Sequence, residues 1–159
     1  MTLAGPGQPA RVRILCQNEH GEILLLKWRD PFDARVFWEP PGGGIEPGEE
    51  PHQAAARELY EETGYTTSLA EESLMVERDY IFAGRHHQHI ERFFLTTVAG
   101  EPVPAEFSEQ EIATFLEARF VHPSKLGSLD APLEPPHLGS LIAALIPPNK
   151  RADGGMPRF

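Results

Sequence analysis

Six glutamates crowd the stretch from Gly43 to Tyr65 (Glu46, Glu49, Glu50, Glu58, Glu61 and Glu62) against a single arginine, Arg57. Pro51–Glu62 predicts a helix: Pro51 suits its first turn, Ala54–Ala56 propagate it and Gly64 stops it. At about 100° per residue, Glu58, Glu61 and Glu62 project within one arc of that helix. Carboxylates about 6 Å apart repel by roughly 1–3 kcal/mol per pair, depending on how well water screens them. Arg57 is spaced to relieve Glu61 only, while Glu58 looks back to Ala54 and Ala55, and Glu62 looks back to Glu58. An acidic helix face is ordinarily just solvated. This one follows Pro40-Pro41-Gly42-Gly43-Gly44, whose backbone can bend sharply, come close to a ligand and expose carbonyl oxygens. Carbonyls and clustered carboxylates are the oxygen set that a hard divalent cation such as Mg²⁺ or Mn²⁺ prefers. A Glu49–Arg57 pair would tie the glycine segment to the helix and fix the glutamates before metal arrives.

The string Gly43-x5-Glu49-x7-Arg57-Glu58-Leu59-x-Glu61-Glu62-x-Gly64-Tyr65 resembles the Nudix box, G-x5-E-x7-R-E-U-x-E-E-x-G-U with U aliphatic. Trp38-Glu39-Pro40-Pro41-Gly42-Gly43 resembles the lead-in of the same family. Tyr65 is the one departure, aromatic where an aliphatic residue is usual, and it is expected to pack all the same. The resemblance implies an α/β fold, a Nudix-type α/β/α sandwich with a mixed β-sheet. It also implies metal-dependent hydrolysis of a nucleoside diphosphate linked to another moiety, by water attack at phosphorus. By resemblance, Glu58 and Glu62 are metal ligands, Glu61 serves a second ion and the Gly42 carbonyl completes the shell. Gly43, Glu49 and Gly64 are then structural supports, and Arg57 assists catalysis by holding them. The general base varies among relatives between the glutamate matching Glu58 and one on a later loop. Phe107-Ser108-Glu109-Gln110-Glu111 is a candidate for that loop, with Glu111 preferred to Glu109. A non-catalytic nucleotide sensor on the same fold is the rival reading, disfavoured because Glu58, Glu61 and Glu62 are all retained.

Outside the box the signals are weaker. Arg29, Arg78 and Arg92 are candidates to clamp phosphate, since guanidinium forks match phosphate oxygens. Trp38 and Tyr80 are candidates to stack on a base, although packing explains such aromatics as readily. His86, His87 and His89 form an HHxH run at an expected hairpin tip, better suited to substrate contact than to a metal, because no third ligand lies near. Relatives acting on ADP-ribose tend to place a proline about fifteen residues after the box, and dinucleoside polyphosphate enzymes a tyrosine about seventeen after it. Here those positions hold Tyr80 and Phe82, so the substrate stays open among nucleoside triphosphates, nucleotide sugars and dinucleoside polyphosphates.

The elements that must position these residues follow from the apolar pattern. Arg11–Cys16 and Glu22–Lys27 read as a hairpin around Asn18–Gly21, and Val36–Glu39 as a short strand ended by Pro40-Pro41. Leu74–Phe82 and His87–Val98 read as strands joined near Gly84, and Ala118–His122 as a last strand. The second of the long pair is apolar on both faces, which calls for helices on both sides of the sheet. Leu138, Leu141, Ile142 and Leu145 fit a closing amphipathic helix.

With 159 residues, one domain is expected at 10–146, flanked by loose segments at 1–9 and 147–159. The net charge of −10 disfavours a nucleic-acid polymer as partner, and an RNA-decapping role with it. One cysteine, Cys16, excludes an internal disulfide framework. Apolar runs are too short to span a bilayer, and no signal peptide is visible, so the expectation is a cytoplasmic protein without a membrane partner. Homodimers are common in the family and form the remaining expectation.

Overall fold

The computed structural model describes residues 7–147; the expected terminal segments therefore lie largely outside the described residues. The chain runs β1 (Arg11–Gln17), β2 (Ile23–Arg29), β3 (Val36–Glu39), β4 (Gly42–Gly44), α1 (Pro51–Thr63), β5 (Ser73–Phe82), β6 (Arg85–Thr97), α2 (Glu109–Thr114), β7 (Phe115–Val121), a 3-10 turn (Pro123–Ser128) and α3 (Leu138–Leu145). The seven strands form one mixed sheet. β1 pairs with β6 in parallel along its length, from Arg11–Glu91 to Gln17–Thr97, and β6 pairs antiparallel with β5.

The hairpin of β1 and β2 opens almost at once. Their pairing is Gln17 with Ile23, after which β4 takes the edge of β1 at Arg11–Arg13 and β3 takes the edge of β2 at Leu26–Arg29. β7 lines the other edge of β2. Pro40 and Pro41, which join β3 to β4, thus bridge the two halves of the sheet.

Alternation along β1 assigns its side chains to two cores. Val12, Ile14 and Cys16 meet Ala54, Ala55 and Leu59 of α1 on one face. Leu15 points the other way with Phe93, Ile23 and Leu25, under Leu138, Ile142 and Leu145 of α3. This is the expected α/β/α sandwich. α1 begins on a capping box between Glu50 and Gln53 and ends at Gly64, whose φ of 77° is the left-handed conformation that stops a helix. Tyr65 packs as expected, in the α1-side core, and its hydroxyl donates to the Gly100 carbonyl.

Two elements differ from the sequence reading. The glycine segment is a strand, β4, because Gly42 and Gly43 lie so close to β1 and α1 that side chains would not fit. The Phe107–Glu111 loop leads into α2, capped by Ser108 and Glu111, each accepting from the backbone N–H of the other.

Candidate active site

Gly43 carries the Glu58 carboxyl directly on its Cα: a Cβ there would stand 2.4 Å from Cδ and Oε1 of Glu58. The glutamate reaches that seat because Leu59 and Ala55 bury the adjacent side of α1, leaving Glu58 and Glu62 turned toward β4. Glu62 accepts the Gly42 backbone N–H at 2.8 Å. Burial raises the pKa of Glu58 above the usual carboxylate value, and Arg57 offsets this only in part. Burial raises Glu62 further; the Gly42 N–H it accepts opposes the rise, while a hydrogen bond shared with the Glu111 carboxylate, which favours a proton on Glu62, and the charge of Glu58 add to it. Two buried carboxyls whose charged forms are disfavoured, against a glycine strand, are what a divalent cation would relieve.

Arg57 fixes the arrangement. Its Nε and Nη2 donate to the two oxygens of Glu49 at 2.8 and 3.0 Å, and Nη2 also donates to the Gly44 carbonyl at 2.9 Å. Nη1 donates to Glu58 Oε1 at 2.9 Å and to Glu61 Oε1 at 3.3 Å. The expected tie between glycine segment and helix is present. The expectation that Arg57 relieves Glu61 only is corrected: with Nε and Nη2 pinned to Glu49 and Gly44, Nη1 falls between the two glutamates.

A groove of about 260 Å³ brings together Arg29, Gly42, Gly43, Gly44, Glu58, Glu62 and Glu111. Glu61 is on the Arg57 side rather than in the groove wall. Among the described residues, no three His, Cys, Asp or Glu side chains converge as a ready cage for a metal. The donors of this groove are nonetheless all oxygens. Mg²⁺ and Mn²⁺ accept such a partial set and fill their remaining positions with water and phosphate oxygens. The residues present fit such an ion.

A second cavity, of about 190 Å³, adjoins the first and shares Arg11, Phe37, Glu39 and Phe82 with it. Arg78 and Tyr80 line this cavity, with the Arg78 guanidinium 4.8 Å over the Tyr80 ring and His87 stacked on that ring at 5.2 Å. Behind the cavity lies Glu91, fully buried and accepting from Arg78 Nη1 at 2.9 Å, with His89 Nε2 3.0 Å from its other oxygen. Arg13 and Arg11 stand 3.5 and 3.8 Å from the same carboxylate.

Two expected substrate contacts are not brought here. Trp38 is fully buried on the α3 side, its indole N–H donating to Asp130 at 3.0 Å, so no substrate face remains. Arg92 projects on the α1 side of β6, donating to Ser73 Oγ at 2.9 Å beside a separate hollow near the start of α1. Sequence reasoning missed Arg11, Arg13, Arg35, Glu39 and Glu134. An available signal was the Arg11-x-Arg13 spacing, two charges on one face of an otherwise apolar strand.

Residues 7–144 match the family model of the NUDIX domain. The chain is 33% identical over 147 residues to an RNA pyrophosphohydrolase of Novosphingobium aromaticivorans, covering 84% of this chain and 91% of that protein. Over 59 residues it is 46% identical to an ADP-ribose pyrophosphatase of Bacillus subtilis, spanning 36% of this chain and 31% of the other. Its fold is similar to the MutT protein of Methanosarcina mazei Go1, with a TM-score of 0.63 and 21% identity over 90% and 96% of the two chains. The box residues and the sandwich that holds them, with the match along nearly the whole chain, lead to one assignment: this protein belongs to the Nudix hydrolase family.

Proposed function

We propose that the chain is a pyrophosphohydrolase that uses Mg²⁺ or Mn²⁺ to cleave a nucleoside diphosphate linked to another moiety, acting in the cytoplasm. The observation that carries this reading is the Glu58 carboxyl seated on Gly43, beside Glu62 and Glu111, in a groove that opens into an arginine-lined cavity. Glu58 and Glu62 would hold the ion, with the Gly42 carbonyl completing its shell, and Glu61, on the Arg57 side, would serve a second ion. Bound there, the ion neutralises phosphate oxygens and lowers the pKa of an attacking water. Glu111, or Glu58 itself, takes the proton of that water. Arg29 faces the groove from β2 and holds a phosphate at its mouth. Tyr80 and Arg78 bound the nucleoside end.

The test is phosphate release across nucleoside triphosphates, nucleotide sugars, ADP-ribose, dinucleoside polyphosphates and a 5′-triphosphorylated RNA oligonucleotide, each with Mg²⁺ or Mn²⁺. The RNA is included because of the name of the relative from Novosphingobium aromaticivorans. Metal-dependent turnover of one class, reduced about 10²–10⁴-fold in Glu58→Gln, is the expected result. Silence across the panel with tight binding of any member would replace it with a nucleotide sensor.

A further inference from the structure

The cavity next to the acidic groove has an unusual polar lining. Its hydrogen-bonding side chains are two pure acceptors, Glu39 and Glu134, and four pure donors, Arg11, Arg13, Arg35 and Arg78, with Tyr80 and His87, stacked on each other, as the groups able to do both. Among the described residues, no Asn, Gln, Ser or Thr side chain lines it. Several of these groups are already committed to one another. Arg13 donates to the Pro40 carbonyl at 3.1 Å and pairs with Glu39 at 3.0 Å, and both terminal nitrogens of Arg78 are taken, by Glu91 and by Glu134.

Glu134 and Arg11 keep capacity, as do the second oxygen of Glu39 and the buried Nε of Arg13. Glu134 engages Arg78 through Oε2 at 2.7 Å, and its Oε1 has no partner among the described residues. Arg11 makes only the long 3.8 Å ion pair to Glu91, and its buried Nε lacks a hydrogen bond. Arg11 also lines both the cavity and the groove, so it marks the side on which phosphates enter. Glu134 is held firmly. Trp38 accepts its backbone N–H at 2.8 Å, donates its own to Pro132 at 2.8 Å and binds Asp130 through the indole.

Rigid acceptors facing rigid donors discriminate among bases. Guanine alone has one edge carrying two donors, N1–H and the N2 amine, and another carrying two acceptors, O6 and N7. A carboxylate matches the first edge and a guanidinium the second. Adenine alternates donor and acceptor along each edge, so against either group one of its atoms meets its own kind. A polar atom left unpaired in a partly closed cavity is costly. Phe37 and Phe82, with ring centroids 6.0 Å apart, supply apolar wall for the base.

We propose that this cavity takes a guanine base, with Glu134 reading its N1–H and N2 amine and Arg11 engaging O6 and N7 or the adjoining phosphate. This rests on the hydrolase reading of the neighbouring groove for the placement of the phosphates.

Calorimetric titration of the full chain with GMP, IMP and AMP tests the inference without requiring turnover. GMP is expected to bind about ten- to a hundredfold more tightly than AMP, with IMP between them because it lacks only the N2 amine. In Glu134→Gln, whose amide offers one donor and one acceptor, the GMP-to-AMP ratio falls to about one or inverts, which loss of structure would not produce. Should that variant fail to fold, the wild-type series still decides. Equal affinity for GMP and AMP overturns the base assignment. Turnover of nucleotides without base preference sinks this inference and spares the proposed function. Preference for GMP with silence on the hydrolysis panel does the reverse.

Discussion

Glu58 owes its position to an atom that is missing: the Cβ that any other residue would carry in place of a hydrogen at Gly43. Replacing Gly43 by alanine puts a methyl group 2.4–2.6 Å from the carboxyl atoms, so Glu58 must leave its seat. Glu58 is also gripped by Arg57, and it cannot move without breaking that bond. Misplacement of a reacting group by about 1 Å costs on the order of 10²-fold in rate, so Gly43→Ala should lower kcat/KM by about that factor. Steady-state kinetics beside a circular dichroism spectrum checks this; an unchanged rate would detach Glu58 from the chemistry. At this scale the glutamates were legible, since helical spacing put Glu58 and Glu62 on one arc. Trp38 was not, because an aromatic residue in a strand reads the same whether it faces a ligand or a core. Its burial is decided by Leu138 and Ile142, a hundred residues away in sequence.

The helix α1 and the strand β4 are a single device joined by one guanidinium. Arg57→Ala removes the bonds to Glu49, to the Gly44 carbonyl and to Glu58 together. Glu49, held below the usual carboxylate range chiefly by its hydrogen bonds from Arg57, then loses its partner. The arginine is about one-quarter exposed, so the expected stability loss is modest, about 1–3 kcal/mol by urea unfolding, with activity down about 10²-fold. Arg57→Lys should recover little, because an ammonium cannot serve Glu49 through two parallel bonds. Full activity in the lysine variant would show that only the charge matters. β4 escaped the sequence reading because three glycines have no strand preference, and its pairing is with Arg11–Arg13, some thirty residues earlier. α2 escaped by its shortness, although Ser108 three residues before Glu111 is a visible capping pair.

Across the whole molecule, the sheet has two electrostatic habits. The α1 face keeps carboxyls with raised pKa at Glu58 and Glu62. The opposite face encloses Glu91, whose burial would raise its pKa but which Arg13, His89, Arg78 and Arg11 together hold well below the ordinary range. With the folded pKa below the unfolded value of about 4.3, the native state binds fewer protons, so Glu91 stabilises the fold above that pH. This contribution disappears as pH falls below about 4 toward the depressed folded value. Thermal melts from pH 7 to pH 3 should therefore show a steep acid limb in the wild type and a shallower one in Glu91→Gln. At pH 7 that variant should lose about 1.5–3 kcal/mol, because Arg78 and Arg13 lose a charged acceptor while keeping Glu134 and Glu39. Parallel acid limbs in the two proteins would remove Glu91 from this role. The network was not legible in the sequence: Arg11, Arg13, Arg78 and Glu91 are scattered over three strands and become neighbours only through the register of β1, β6 and β5. No helix among the described residues is long and apolar enough to cross a membrane.

Pro40 and Pro41 give the sheet a fixed gauge. β3 and β4 are locked to different partners, at Leu26–Arg29 and Arg11–Arg13, with only these two residues between them. One added residue has nowhere to loop out, so one strand must slip by a step, and a one-step slip turns every side chain to the opposite face. Either Trp38 leaves the α3-side core and releases the Asp130–Glu134 segment, or Gly43 leaves Glu58 with a side chain beneath it. Insertions that the surface turn at Asn18–Gly21 would absorb are therefore not accommodated here, and the length of this junction is set by geometry before any demand of chemistry.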